Sequence, residues 1–286
     1  MADAEPAPFT AGEGLSIHGE RAGEGPPVVL CHGVTATRRY VLHGSRALER
    51  RGYETVSYDA RGHGASDPAP PGEGYGYPEM VGDLRSVLAE TAGDRPYVFA
   101  GHSMGAHTAV AHALTAPEGL AGLVLIGPVY AGEGASAQAL EYWDGLAESL
   151  ETGGAQGFVD FIDRHQDFDP AWRETVLRIT RERIGLHRRP AALSEAIRQV
   201  SRSRPFGAME ELETLEVPAL VVASHDAADP GHPYATAAAY AECLPQGRLV
   251  SEEEGDSPLA WRGGLLSREI AEFCCEPSVS SRLFNA

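Results

Sequence analysis

The stretch Tyr97–Val110, YVFAGHSMGAHTAV, ends an apolar run in Gly101-His102-Ser103-Met104-Gly105 and passes at once into helix-forming residues. A serine between small residues at a strand-to-helix turn is how a chain exposes a nucleophile. The glycines permit a strained turn, and the helix start offers free N–H groups and a positive dipole to a developing oxyanion. Ser103 is the expected nucleophile, and such a serine needs a base. Eleven histidines are present. His102, His107 and His112 recur every five residues, which turns each about 140° from the last on a helix, so they cannot share a metal on one face.

Composition bounds the remaining chemistry. All 23 basic residues are arginines, which excludes Schiff bases, Ser-Lys dyads and phosphate-loop lysines. A net charge of −18, spread along the chain, repels nucleic acid and anionic membranes. The four cysteines, Cys31, Cys243, Cys274 and Cys275, are too few and too irregular for a disulfide framework or a zinc site. The N-terminal MADAEPAPFTAGEG lacks a basic start followed by an apolar core, and no later run reaches the length of a membrane span. A cytoplasmic protein with a small-molecule substrate, and with neither cofactor nor metal, is expected.

The elements that must position Ser103 follow from the patterning. From residue 26 to 130 short apolar runs (PPVVLCHG, ETVSYDARG, RPYVFAGHS, GLAGLVLIGPVY) alternate with helical patterns (RRYVLHGSRALERRG, PEMVGDLRSVLAETA, GAHTAVAHALTA), which specifies a parallel sheet with crossover helices. LSIHGERAGEG alternates weakly and reads as an antiparallel edge hairpin. Between 131 and 215 strand signals vanish and helical segments are expected near 137–151, 154–165, 169–185 and 190–203. The β-α pattern resumes from 216 with VPALVVASHD, YATAAAYAECLP, GRLVSEEEGD and LLSREIAEFCCE. An α/β core over 1–130 and 216–286 with an inserted helical lid over 131–215 follows. The Pro/Gly-rich segment 67–78 reads as an excursion near the pocket mouth.

The segments VVLCHGVTATRR (28–39), YDARGHGASD (58–67), GHSMG (101–105) and VVASHDAADPGHP (221–233) resemble the α/β-hydrolase superfamily, in its lid-bearing branch of small esterases, peroxidase-like hydrolases and aminopeptidases. The resemblance implies a mostly parallel twisted sheet of about eight strands with helices on both faces. It implies oxyanion N–H groups on Val34 and Met104, and structural roles for His32 and for the Asp59–Ser66 loop. It also makes Asp226 the triad carboxylate, with Asp229 as runner-up on the same loop. The family's histidine sits just after the last strand, where this chain reads Gly255-Asp256-Ser257-Pro258, and no histidine follows His232.

His232, at a helix start six residues beyond Asp226, could replace that base from a new direction, and His165 could cap the pocket from the lid. Asp256 stands in the vacated place. A carboxylate there would repel Asp226, raise one of the two pKa values and suit proton transfer more than rapid ester turnover. Tyr142, Trp143, Phe158 and Phe161 are the aromatic residues of the lid expected to face substrate, or equally to pack lid against sheet. Three readings follow: a serine hydrolase of a small ester, thioester, lactone or amide with an atypical triad; a cyclase, lyase or lactone-forming enzyme moving protons through Asp226 and Asp256; and a silent ligand-binding protein. The retained glycines around Ser103 favour an active enzyme, because a strained turn serves little purpose once the nucleophile is idle.

Overall fold

A computed structural model describes residues 6–12, 14–225 and 229–284. The strands are β1 (Ala7–Ala11), β2 (Ile17–Ala22), β3 (Pro27–Cys31), β4 (Glu54–Tyr58), β5 (Tyr97–His102), β6 (Leu120–Ile126), β7 (Ala219–Val222) and β8 (Gly247–Val250). They form one sheet in the order β1-β2-β4-β3-β5-β6-β7-β8. The edge hairpin β1-β2 and its junction with β4 are antiparallel, and every other pair is parallel. This is an α/β-hydrolase architecture, in which the central strands are covered on both faces and so read as unbroken apolar runs.

The helices are α1 (Tyr77–Thr91), α2 (Met104–Ala113), α3 (Ala137–His165), α4 (Pro170–Ile184), α5 (Pro190–Val200), α6 (Tyr234–Cys243), α7 (Gly263–Cys275) and α8 (Pro277–Phe284). Strand residues alternate between the two layers. Val29, Cys31, Phe99, Leu123 and Val221 pack on one side with Leu84, Val110 and Tyr240 of α1, α2 and α6. Val28, Leu30, Val98, Val124 and Leu220 pack on the other with Leu266, Phe273 and Val279 of α7 and α8. No helix among the described residues is long and apolar enough to cross a membrane.

Helices α3, α4 and α5 all lie between β6 and β7. Gly154, with φ 59° and ψ −152°, breaks α3 where the sequence pattern broke between 151 and 154. Two expectations are corrected. The RRYVLHGSRALERRG stretch is not a crossover helix but two single 3-10 turns, Arg38–Tyr40 and Glu49–Arg51, because His43 and Gly44 both take positive φ and interrupt the pattern. The 67–78 segment does not open on the main cavity. It packs on α5 and the turn that follows it, where Tyr75 N–H donates to Gln199 Oε1 at 2.9 Å and Tyr77 N–H donates to Ser203 Oγ at 3.0 Å.

The start of α2 crosses β5 and β3 almost backbone to backbone. A Cβ on Gly101 would stand 2.1 Å from the Gly105 carbonyl, and one on Gly105 would stand 2.2 Å from Cys31 O. Gly105→Ala is therefore expected to cost about 3 kcal/mol or more, the upper range for overpacking against backbone that cannot yield. A urea melt of the variant with an unchanged midpoint would contradict this packing.

Candidate active site

Ser103 is the N-cap of α2, at φ 51° and ψ −111°. A non-glycine residue at positive φ outside the left-handed helical well costs about 1–3 kcal/mol and persists only where its surroundings enforce it. Here they do: β5 delivers the residue, Ser103 N–H donates to Ile126 O of β6 at 2.8 Å, and the two glycines let the helix start press onto β3. The loop after β3 passes close above, since a Cβ on Gly33 would lie 3.0 Å from His102 Nδ1 and 3.4 Å from Ser103 Cβ. That loop is fixed from behind. His32 donates from Nδ1 to Gly33 O at 2.8 Å and accepts Ala60 N–H at Nε2, and His63 Nε2–H donates to Val34 O at 2.6 Å.

Ser103 opens into a cavity of about 280 Å3, at the lower edge of the usual range for small-molecule sites. Val34, Tyr142, Trp143 and Phe158 line it, as do Asp229 and His232. Met104 is buried beneath as the first residue of α2, with the unpaired amide of a helix start. Phe161 and His165 are not among the lining residues. Phe161 fills the space over Gly145 and stacks on His165, whose Nδ1–H donates to Phe161 O at 2.8 Å on the exposed side of α3. The last turn of α3 thus turns both rings away from the cavity, which corrects their expected place in it.

His232 Nδ1 and Asp229 Oδ1 are 2.8 Å apart. The ring lies against Gly127, where a Cβ would stand 3.1 Å from its Cδ2, immediately after the Ile126 carbonyl that holds Ser103. His102 lies 4.8 Å away, centroid to centroid. Burial works to lower the His232 pKa, but the charge of Asp229 and its hydrogen bond outweigh burial and hold the imidazole above its ordinary value. Burial likewise works to raise Asp229, and His232, His102 and Arg183 together bring it below the ordinary value. His102, beside the same charges without a hydrogen bond to Asp229, is lowered by burial and then by His232 to about 3.

Comparison with known proteins extends over the whole sheet. A family profile described as serine aminopeptidase, S33, matches residues 26–152. Epoxide hydrolase B of Mycobacterium tuberculosis is 36% identical over 111 residues, 39% of this chain and 31% of that protein. A non-heme haloperoxidase of Rhodococcus erythropolis is 31% identical over 160 residues, 54% of this chain and 57% of that one. The matched stretch spans about a third of the length of the first of these relatives. Among solved structures, a thermophilic esterase from Thermogutta terrifontis superposes with a TM-score of 0.75 at 22% identity, covering 94% of this chain and 98% of its own. The enol-lactonase from Burkholderia xenovorans superposes with a TM-score of 0.72 at 22% identity, covering 92% and 98%. The chain has the α/β-hydrolase fold.

The turn after β8, where the resemblance implies a histidine, is built differently. Glu252 is buried there and accepts His225 N–H at 2.5 Å and Leu259 N–H at 2.9 Å, so the carboxylate that faces inward closes the turn. Asp256 lies beyond it, more than half exposed and ion-paired with Arg262 at 3.1 Å, and is not among the cavity's lining residues. Its expected place beside Ser103 is therefore corrected: the turn spends its inward carboxylate on backbone amides and sends Asp256 to solvent. Asp226 lies outside the described residues.

Three residues that line the cavity escaped the sequence reading. His102 follows from its place one residue before Ser103, at the end of β5. His43 lines the cavity from the turn that was read as a helix. Arg183 lines it from α4, at the fourth position of the spacing Val176, Ile179, Thr180, Arg183, which marks one helix face. His102, Asp229 and His232 are also the one group among the described residues whose donor atoms, all within 4.8 Å of one another, could ligate a metal. The 2.8 Å contact is a hydrogen bond that already occupies two of those donors.

The opposed shifts give a measurable signature. In an NMR titration His232 should titrate above about 6.5, the ordinary imidazole value, and Asp229→Asn should carry it below that value by removing the charge that outweighs burial. His102 should stay neutral down to about pH 3. A wild-type His232 titrating below 6.5 would mean that the pair is not formed.

Proposed function

We propose that this α/β hydrolase is a serine hydrolase of a small ester, thioester, lactone or amide, with Ser103 as nucleophile, His232 as general base and Asp229 as the carboxylate that orients it. The observation that carries this reading is the His232–Asp229 hydrogen bond in the cavity onto which Ser103 opens. Asp229 accepts Nδ1–H, which fixes the tautomer and leaves the Nε2 lone pair as the proton acceptor. The carboxylate also stabilises the imidazolium formed when Ser103 gives up its proton.

In the reaction, the Ser103 oxygen would attack the carbonyl carbon while its proton passes to His232. Negative charge would collect on the carbonyl oxygen, facing the amides of Val34 and Met104. His232 would then protonate the leaving alcohol, thiol or amine, and water activated by the same imidazole would release the acid. The Ser103 hydroxyl makes no hydrogen bond among the described residues. Rotation about its Cα–Cβ bond would bring it toward the imidazole, as catalytic contacts tighten when substrate arrives. Helices α3 and α4 would serve as a lid, lending Tyr142, Trp143 and Phe158 to an apolar acyl or aromatic group.

The alternative in which Asp226 and Asp256 pass protons draws no support from the exposed, Arg262-paired position of Asp256. A fluorophosphonate probe should label the wild type rapidly and saturably and leave Ser103→Ala unlabelled; absence of labelling at every pH would remove the nucleophile assignment. On an activated ester, His232→Ala should lower turnover by about 10²–10⁴, the usual worth of a general base. Asp256→Ala should change it less than twofold. A His232→Ala loss below threefold would displace His232 from the mechanism.

A further inference from the structure

The cavity wall contributed by α4 carries a cation, Arg183, that forms no ion pair among the described residues, although the Asp229 charge acts on it within the same cavity. Arg183 lies on the inward face of α4 with Val176, Ile179 and Thr180, and its Nε is shielded from solvent without a hydrogen-bond partner. The neighbouring arginines of α4 are all engaged outside: Arg173 with Asp163, Arg178 with Glu182, and Arg181 with Gln156. Among the described residues lining the cavity, Asp229 is the one acidic residue. It is hydrogen-bonded to His232 and forms no ion pair with Arg183. Glu182, the adjacent carboxylate in the chain, is taken by Arg178.

A buried charge left alone costs several kcal/mol, and proteins meet that cost by pairing or by binding an ion. An apolar residue at 183 would pack against Val176 and Ile179 without that penalty. A guanidinium presents a planar fork of donors that matches one carboxylate in two parallel hydrogen bonds. A phosphate dianion would bring two charges to one cation beside the Asp229 carboxylate and is the poorer match. Once His232 takes up a proton, it and Arg183 together exceed the single negative charge of Asp229, so the cavity favours one further anion.

We propose that Arg183 makes this site selective for substrates bearing a free carboxylate a few bonds from the reacting carbonyl, the guanidinium binding the carboxylate while the carbonyl rests over Ser103. This deepens, and rests on, the serine hydrolase reading. It explains why a cation is kept in the apolar part of a cavity of about 280 Å3, in a chain whose net charge of −18 would otherwise repel anions.

The test compares mono(4-nitrophenyl) adipate with its methyl ester, which differ in charge and hardly in length. Wild type should favour the acid by about tenfold or more in kcat/KM, chiefly through KM. Arg183→Gln should bring the ratio to about one, and Arg183→Lys should keep part of it. Equal rates on the two esters in wild type, or parallel losses on both in Arg183→Gln, would overturn the proposal. Binding of hexanoate against hexanamide, followed by the fluorescence of Trp143 and Trp261 in the cavity wall, separates the two claims. If neither ester is hydrolysed but hexanoate binds at least tenfold tighter and loses that advantage in Arg183→Gln, the hydrolase reading falls and the carboxylate site stands. Hexanoate binding no tighter than hexanamide would refute the site, whichever variants fold.

Discussion

The structure turns on one close crossing of backbones. The start of α2 sits so near β5 and β3 that neither Gly101 nor Gly105 has room for a Cβ, and this closeness forces the residue between them out of ordinary backbone space. Ser103 is held at positive φ because the sheet on one side and the helix on the other both fix their ends. Everything at the site is placed relative to that crossing. The loop after β3 can lie over the elbow because Gly33 leaves room, and the His232 ring can lie beside it because Gly127 does the same. Four glycines, from three strands or the loops that follow them and from one helix, carve the space in which one serine is exposed.

Electrostatics then decide what each ring beside the serine can do. Asp229 meets three imidazoles and a guanidinium in one cavity, and it hydrogen-bonds only one of them. The bonded imidazole keeps an elevated pKa against burial, while the unbonded His102 falls to about 3. Two histidines 4.8 Å apart thus acquire opposite character from a single carboxylate. Pairs of titratable groups driven apart in this way divide the labour of a site, one moving protons and the other serving as a neutral wall. The turn after β8 holds its shape without a histidine, because it closes around Glu252 by two backbone hydrogen bonds.

How much of this was legible depended on the range of the interaction responsible. The alternation of strands and helices along the chain and the breaks among α3, α4 and α5 are written in local patterns of period 2 or 3.6 and in Gly and Pro positions, so they could be read directly, whereas the edge hairpin expected within LSIHGERAGEG instead pairs β2 with the preceding β1. Ser103 was legible because strand, glycines and helix are contiguous around it. The stretch 38–51 misled because its apolar spacing suits a helix, whereas His43 and Gly44 take positive φ, a choice no periodicity announces. Asp256 misled because a position in a turn says nothing of whether its side chain or that of Glu252 points inward. His43 and Arg183 were invisible for a related reason: a helix-face pattern marks a cation among apolar residues but not the cavity it faces.

The insertion between β6 and β7 is tied to the Asp59–Asp67 loop by the chain just beyond α4. His187 Nδ1 accepts Gly64 N–H at 3.0 Å, Arg188 N–H donates to Gly64 O at 3.0 Å, and Arg189 pairs with Asp67 at 2.9 Å. Gly64 follows His63, whose other contact is the Val34 carbonyl, and the Asp59 carboxylate gathers the same loop through Ala65 N–H and Arg38 N–H. Arg183 is therefore only a few residues from an anchor on the loop whose His63 hydrogen-bonds the Val34 carbonyl. Such a linked network resists piecemeal movement, because opening any one bond leaves buried polar groups unpaired. The separation between Arg183 and Val34 across the cavity is thereby set by the fold rather than by either side chain alone.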